Sequence, residues 1–170
     1  DFIKNFNLLS GVRLDKHNLL NKMVLSPRLA LLYKLKNYTQ FRLSFGTGFR
    51  APQAFDTDLH IAFAGGGVSR VQLSPNLQEE KSQSISTSVN YDKASDRWIA
   101  GFTLEGFYTH LRNVFVLTHI GEDNFGKIFE KQNGQGATVS GFTTELRANY
   151  NKKIQLETGF TVQKSQYETP

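Results

Sequence analysis

Residues 81–91, KSQSISTSVNY, alternate apolar and polar side chains in strict period two. Extended backbone sends successive side chains to opposite faces, so Ile85, Thr87, Val89 and Tyr91 share one face and Ser82, Ser84, Ser86, Ser88 and Asn90 the other. A helix, turning about 100° per residue, would scatter both sets around its circumference. The stretch predicts a β-strand with one dry side and one wet side.

Working outward, six further stretches carry the same signature. Residues 6–14 place Phe6, Leu8, Val12 and Leu14 opposite Asn7, Gly11 and Arg13, with Leu9 breaking the pattern. Residues 24–34 place Leu25, Leu29, Leu31 and Tyr33 opposite Ser26, Arg28 and Lys34. A short turn through Lys36, Asn37 and Tyr38 leads to Phe41, Leu43, Phe45 and Phe49, alternating with Gln40, Arg42, Ser44, Gly46 and Gly48. Later, Trp98, Phe102, Leu104 and Tyr108 oppose Thr103, Glu105 and Thr109. Phe142, Leu146 and Tyr150 then oppose Thr143, Glu145, Arg147 and Asn149, and Ile154, Leu156, Phe160 and Val162 oppose Gln155, Glu157, Thr161 and Gln163.

Connections between these strands alternate long and short. Residues 50–80 and 112–136 form long segments rich in Gly, Pro and Asn, the second with an expected short strand near Val114–His119, whereas Asp92–Arg97 and Asn151–Lys153 are brief turns. The predicted fold class is all-β: an antiparallel up-and-down meander of about seven long strands, forming a segment of a β-barrel wall. No second domain, internal repeat or low-complexity segment is visible, and the whole of residues 1–170 is expected to belong to one incomplete barrel domain. An odd number of strands with two open ends reads as a piece of a larger sheet.

Composition narrows the function classes. The 20 Lys and Arg against 15 Asp and Glu give a net charge of +5, but no basic run interleaved with aromatics forms a nucleic-acid patch. The chain holds no cysteine, which removes disulfides and thiolate metal sites. His17, His60, His110 and His119 lack metal-ligand spacing, so no metal or cofactor is expected. Catalytic signatures are missing too: there is no nucleophile elbow, and Gly65–Gly67 is not followed by the Lys and Ser or Thr of a phosphate loop. An enzyme is not expected. No apolar run reaches the roughly 18 residues of a membrane helix, but a membrane barrel hides its apolar half in alternate positions.

Two architectures share this alternation. A soluble extracellular β-sandwich that binds a ligand buries the apolar face against a second sheet, whereas a membrane barrel turns it to lipid. Charge sits on the polar faces, at Arg13, Arg28, Lys34, Arg42, Glu105, Glu145, Arg147 and Glu157, and reaches the apolar faces only near strand ends, as at Lys81 and Lys164. Tyr33, Tyr91, Trp98 and Tyr150 all fall on apolar faces beside the short turns, where amphipathic rings would form a membrane-interface girdle.

Particular runs carry a family likeness. Ser26-Pro27-Arg28-Leu29-Ala30-Leu31, then Phe41-Arg42-Leu43-Ser44, then Gly48-Phe49-Arg50-Ala51-Pro52 resemble, in this order, the barrel of TonB-dependent outer-membrane receptors. Gly11-Val12-Arg13-Leu14-Asp15 upstream, Leu73-Ser74-Pro75-Asn76-Leu77 with Glu79-Glu80-Lys81-Ser82, and Gly141, Phe142, Thr144 and Glu145 add to it. The likeness spans nearly the whole chain. It implies an outer-membrane location in a Gram-negative cell and TonB-driven uptake of a scarce nutrient such as a siderophore–iron complex, cobalamin, haem or oligosaccharide. A passive porin shares the wall chemistry and stays open as an alternative. The family's plug domain, N-terminal TonB-binding box and closing C-terminal strand have no counterpart here, so about a third of a roughly 22-stranded plugged barrel is expected.

Site candidates follow from that reading. Arg50, Asp56, Asp58, His60 and Arg70 lie in the first long segment and are the ligand-facing candidates, because binding residues concentrate on loops held by a rigid scaffold. Arg28, Arg42, Glu105, Glu145, Arg147 and Glu157 are expected to face the lumen and the plug. Expected partners are membrane lipid and lipopolysaccharide, the plug domain of the same parent chain, TonB through the missing N-terminal part, and a small-molecule ligand, without nucleic acid.

Overall fold

The computed structural model describes residues 3–18, 20, 22–35, 38–52, 68–124 and 126–168. Ten strands follow in chain order: β1 (Phe6–Asp15), β2 (Val24–Leu35), β3 (Thr39–Arg50), β4 (Val68–Leu73), β5 (Glu80–Ala94), β6 (Trp98–Arg112), β7 (Phe115–Asp123), β8 (Gly126–Asn133), β9 (Ala137–Tyr150) and β10 (Ile154–Tyr167). Seven of them form one antiparallel sheet in the order β1-β2-β3-β5-β6-β9-β10. The expected meander is present, with every expected strand paired to its neighbour in sequence order. Strands of 14 or 15 residues at β5, β6, β9 and β10 are more than twice the ordinary length of about 5–6.

The ladder registers preserve the alternation across the sheet. Leu8, Leu31, Leu43, Thr87, Gly106, Phe142 and Val162 lie on one continuous row. Leu9 does fall on the polar face, opposite Ala30, and is solvent-exposed there. The turn at Asp92–Arg97 is tighter than the sequence suggested: β5 continues to Ala94, and the Ser95 amide donates to the Trp98 carbonyl at 2.7 Å. Lys36 and Asn37, expected in another turn, lie outside the described residues.

The long segments differ from the expectation of loops. Residues 112–136 contain a full hairpin, β7–β8, rather than one short strand, and β8 also pairs in parallel with β4 from the first long segment. These three strands make a separate small sheet. Parallel neighbours must come from distant stretches of chain, which is why no local pattern announced this pairing.

Pro27 shapes the wall. The β2–β3 ladder ends at Arg28↔Gly46, while β2 continues its pairing with β1 to Val24. Proline has no N–H to give, so it ends one ladder while the other continues. In its place the Thr47 hydroxyl donates to the Pro27 carbonyl at 3.3 Å. Above that point the strands diverge, and Leu20, Val24 and Ala51 pack there with Phe49.

Apart from that cluster, the neighbouring Pro52 and Ala137, no described apolar side chain is buried. Leu104 is 47% exposed, Leu146 52%, Phe160 57% and Leu8 67%. A sandwich would cover this face. An apolar surface of such breadth far exceeds the few hundred Å² that soluble monomers leave open.

Candidate functional site: the two faces and the loop end of the wall

The uncovered apolar face is a diagonal band. On β6 it runs from Trp98 through Phe102 and Leu104 to Tyr108, and gives way to His110 and Arg112. Its lower edge passes Ile154 on β10, level with Trp98, and Phe6 on β1, level with Leu104. A climb of about six residues, ~20 Å, over six strand spacings, ~29 Å, corresponds to strands tilted by ~35°. The ten-residue rise from Trp98 to Tyr108, ~34 Å along the strand, then spans about 24–28 Å of height at tilts of ~35–45°.

The four girdle candidates follow the same diagonal. Trp98 and Tyr150 share the lowest row with ring centroids 4.7 Å apart, Tyr91 stacks on Phe102 at 5.7 Å, and Tyr33 meets Phe6 at 4.5 Å one row higher. Tyr38 joins beside Tyr91 at 6.5 Å. A single horizontal boundary through tilted strands would cut all of them.

The opposite face collects the charges. Arg28, Arg42, Glu105, Glu145, Arg147 and Glu157 all fall on the polar parity of the registers, as expected. Arg147 is the hub of one network: its guanidinium donates to Thr103 Oγ1 at 2.9 Å, Asn90 Oδ1 at 2.8 Å, Asp92 Oδ1 at 3.1 Å and Glu145 Oε2 at 3.3 Å. Five donors in a fixed fork let one arginine serve all four. Gly101 makes this possible, since a Cβ there would collide with the Asp92 carboxylate and the Tyr91 carbonyl. Glu157 stands opposite Arg147 in the β9–β10 register without an ion pair among the described residues. Arg28, Arg42 and Glu105 likewise find no partner there, and Arg28 lies flat across Gly11, whose missing side chain admits it. On this face β1–β3 carry Arg13, Arg28, Lys34 and Arg42 against Asp15, whereas β6, β9 and β10 carry Glu105, Glu145 and Glu157 against Arg147, so net charge falls from one side of the sheet to the other.

At the loop end, Arg50 stacks its guanidinium 5.1 Å from the Phe115 ring, and buried Lys131 approaches the same ring at 5.0 Å. The Phe115 amide donates to Glu80 Oε2 at 3.1 Å. Asn133 locks the junction: it donates to the Gln78 and Asn113 carbonyls and accepts from the Gln78 amide at 2.7 Å. This clamp joins both long segments to the end of the wall. Phe115, Lys131, Glu80 and Asn133 were not expected as site residues, and the Lys131 charge in a buried strand position disguised β8. Arg70 lies apart on β4, paired to Asp123 at 2.9 Å. Asp56, Asp58 and His60 lie outside the described residues.

Glu79 sits beside the clamp, its side chain 7% exposed, with Lys81 at 3.1 Å and Lys22 at 3.9 Å. Burial pushes its carboxyl up, but its own backbone amide and the two lysines outweigh this and hold it below the ordinary value. Among the described residues no three His, Cys, Asp or Glu side chains cluster as a metal would require, and no helix is long and apolar enough to cross a membrane, which says nothing of strands.

Comparison with known proteins agrees with this geometry. The siderophore receptor PirA from Pseudomonas aeruginosa is similar in structure, with a TM-score of 0.78 and 21% identity over 96% of this chain and 32% of that one. The FrpB iron transporter from Neisseria meningitidis (F3-3 variant) gives a TM-score of 0.65 and 14% identity over 96% of this chain and 24% of that one. The chain thus spans about a third or less of these proteins. No curated protein sequence matches. The family model described as "TonB dependent receptor-like, beta-barrel" matches residues 1–169, and the chain belongs to that family.

Proposed function

We propose that this chain is part of the wall of an outer-membrane receptor that actively imports a scarce nutrient. The observation that carries it is the diagonal apolar band: its height of about 24–28 Å suits the ~25 Å apolar belt of outer-membrane barrels, and aromatic rings bound it as girdles do. The three short turns fall on the Trp98 side and the long segments on the Tyr108 side, which puts the β4-β8-β7 sheet outside the cell. In this reading seven strands form about a third of a barrel of roughly 22, and the closing strands and plug lie elsewhere in the parent.

The charged face then lines the lumen. Arg28, Arg42, Glu105 and Glu157, without partners among the described residues, await opposite charges on the plug of the same parent, since unpaired charge in an enclosed interior is costly. Arg147 is already satisfied and holds β5, β6 and β9 in register. Work on the substrate is transport, with TonB supplying the energy through the plug, and no substrate bond need break. Arg50 and Arg70 remain the described candidates for ligand contact, together with Asp56, Asp58 and His60. A siderophore–iron complex is the favoured cargo, given the similarity to a siderophore receptor and to an iron transporter, ahead of cobalamin, haem or oligosaccharide.

Cells carrying the full-length parent, grown under iron limitation, test this. Uptake of a labelled ferric siderophore should require the parent gene and vanish when TonB is removed or the proton gradient is collapsed. Uptake that persists without TonB would point to a passive porin.

A further inference from the structure

Above Pro27 the wall carries a seam. The β2–β3 ladder stops at Arg28↔Gly46, yet β1 stays paired to β2 as far as Val24, and β5 stays paired to β3 as far as Arg50. Residues 24–27 and 47–50 therefore run beside each other without a shared ladder. A strand residue turns its N–H and C=O toward the same neighbour. The Pro27 carbonyl accepts from Thr47 of β3, so Pro27 faces β3, and Leu25, two residues along, does too. Thr47 is the latch of the seam, and at 3.3 Å its bond is long for a hydroxyl donor. Phe49, packed against Leu20, Val24 and Ala51, closes the upper end.

A cavity opens on each side, and the two back onto each other across Thr47 and Gly48, which line both. The inner one, of about 340 Å³, takes Arg13, Asp15, Ser26 and Arg28 from the polar parity. The outer one, of about 460 Å³, takes Leu25 and Pro27 from the apolar parity. Glycine keeps the partition thin: a Cβ on Gly48 would meet Ser82 Oγ at 2.9 Å, and one on Gly46 would stand in open space. Asp15 holds Arg13 at 2.8 and 2.7 Å, which leaves Arg28 as the unbalanced cation of the inner cavity. The apolar band climbs about one residue per strand toward β1, so its upper margin, at Tyr108 on β6, reaches Thr47 on β3 and Ser26 on β2. The seam thus begins where hydrocarbon gives way to headgroups in the outer leaflet. Backbone groups without ladder partners persist near that depth only where they line a water-filled space, and the lumenal cavity supplies one.

We infer that the seam is a lateral port, through which a long-chain carboxylate dissolved in the outer leaflet passes its head to Arg28 in the lumen. Its hydrocarbon lies along Leu25, Leu29 and Phe45, all exposed on the lipid side. Its head parts the Thr47–Pro27 contact and meets the guanidinium fork, a charge-assisted pairing stronger than the bond it displaces. At Arg28 the head supplies the opposite charge that the plug supplies when the port is shut. The inference rests on the outer-membrane reading above, and adds a membrane-dissolved amphiphile to the cargo caught from water.

The test uses the full-length parent in phospholipid bilayers and a long-chain carboxylate with a photoreactive diazirine beside its head. Cross-links mapped by mass spectrometry should fall on Leu25 and Pro27 outside and on Ser26 and Gly46 in the lumen. Arg28→Gln should lower lumenal labelling about tenfold or more, and Arg28→Lys should restore most of it. Thr47→Val, which removes the latch and leaves every charge in place, should raise lumenal labelling about twofold or more. The uncharged alcohol of the same chain should label the lipid side alone. The gel shift of the folded barrel shows that each variant has folded. Lumenal labelling that is absent, unmoved by Arg28→Gln or Thr47→Val, or matched by the alcohol would overturn the inference. A probe with the diazirine at its tail should mark Leu104, and if it does not, the membrane reading itself fails.

Discussion

Replacing Leu104 by arginine is the sharpest perturbation of the wall. Leu104 lies six residues along β6 from Trp98, ~20 Å along a strand tilted by ~35–45°, which puts it about 14–17 Å above the aromatic rim and within about 3 Å of the middle of the band. A cation facing lipid at that depth costs about 2–4 kcal/mol. That range is about 30- to 700-fold in the folding equilibrium, since ~1.4 kcal/mol is tenfold. The neighbour Glu105 points to the other face and has no ion pair among the described residues, so Glu105→Arg puts no charge into lipid, acts on the barrel only through the contact with the plug, and should cost less than Leu104→Arg. Tyr108→Arg, at the far rim, should fall between the two. The assay is denaturant unfolding of the full-length parent in phospholipid vesicles, followed by the gel shift between folded and heat-unfolded barrel. Leu104→Arg costing no more than Glu105→Arg would refute the assignment of faces.

Other outcomes follow from the polar face and the loop end. Arg147→Leu leaves Asp92 and Glu145 without their shared donor and should destabilise the parent by about 1–3 kcal/mol, measured by the same unfolding. Gly101→Ala should add a loss of its own, because a Cβ there meets both the Asp92 carboxylate and the Tyr91 backbone carbonyl, and Asp92→Ala combined with it should recover only the part due to the carboxylate. Phe115→Ala removes the ring shared by Arg50 and Lys131, so amide exchange should accelerate across β7 and β8 while β5, β6 and β9 stay protected. Glu79 is held below the ordinary carboxylate value, so the stability it contributes is present above the unfolded value of 4.5 and is lost as pH falls through the folded one. Exchange in the segment around Lys22 and Glu79 should therefore rise on acidification, and Glu79→Gln should flatten that dependence.

The seven-stranded sheet was legible because period-two alternation survives over 10–15 residues in each strand, long enough for Leu9 to stand out as a single exception. The placement of Tyr33, Tyr91, Trp98 and Tyr150 on the apolar parity near the short-turn ends of their strands was legible for the same reason. What stayed hidden is non-local. The β4–β8 pairing joins residues 68–73 to 126–131 in parallel, and Lys131 sits buried where a strand pattern calls for an apolar residue. The clamp on Phe115 needs a cation from β3 and another from β8, a meeting that only the fold brings about. Pro27 was visible as part of a motif, but its effect, ending one ladder while sparing the other, depends on which neighbour its missing N–H would have served.

The chain has no cysteine, which suits a nitroxide scan of residues 98–112 in the full-length parent reconstituted in bilayers. Collision with dissolved oxygen should peak at positions 100, 102, 104 and 106, with its maximum near Leu104, while a water-soluble nickel reagent reaches none of them. The odd positions should show the opposite pattern or shielding from both. Uniform access to the nickel reagent, or loss of the two-residue alternation, would contradict a wall with lipid on one side and the lumen on the other.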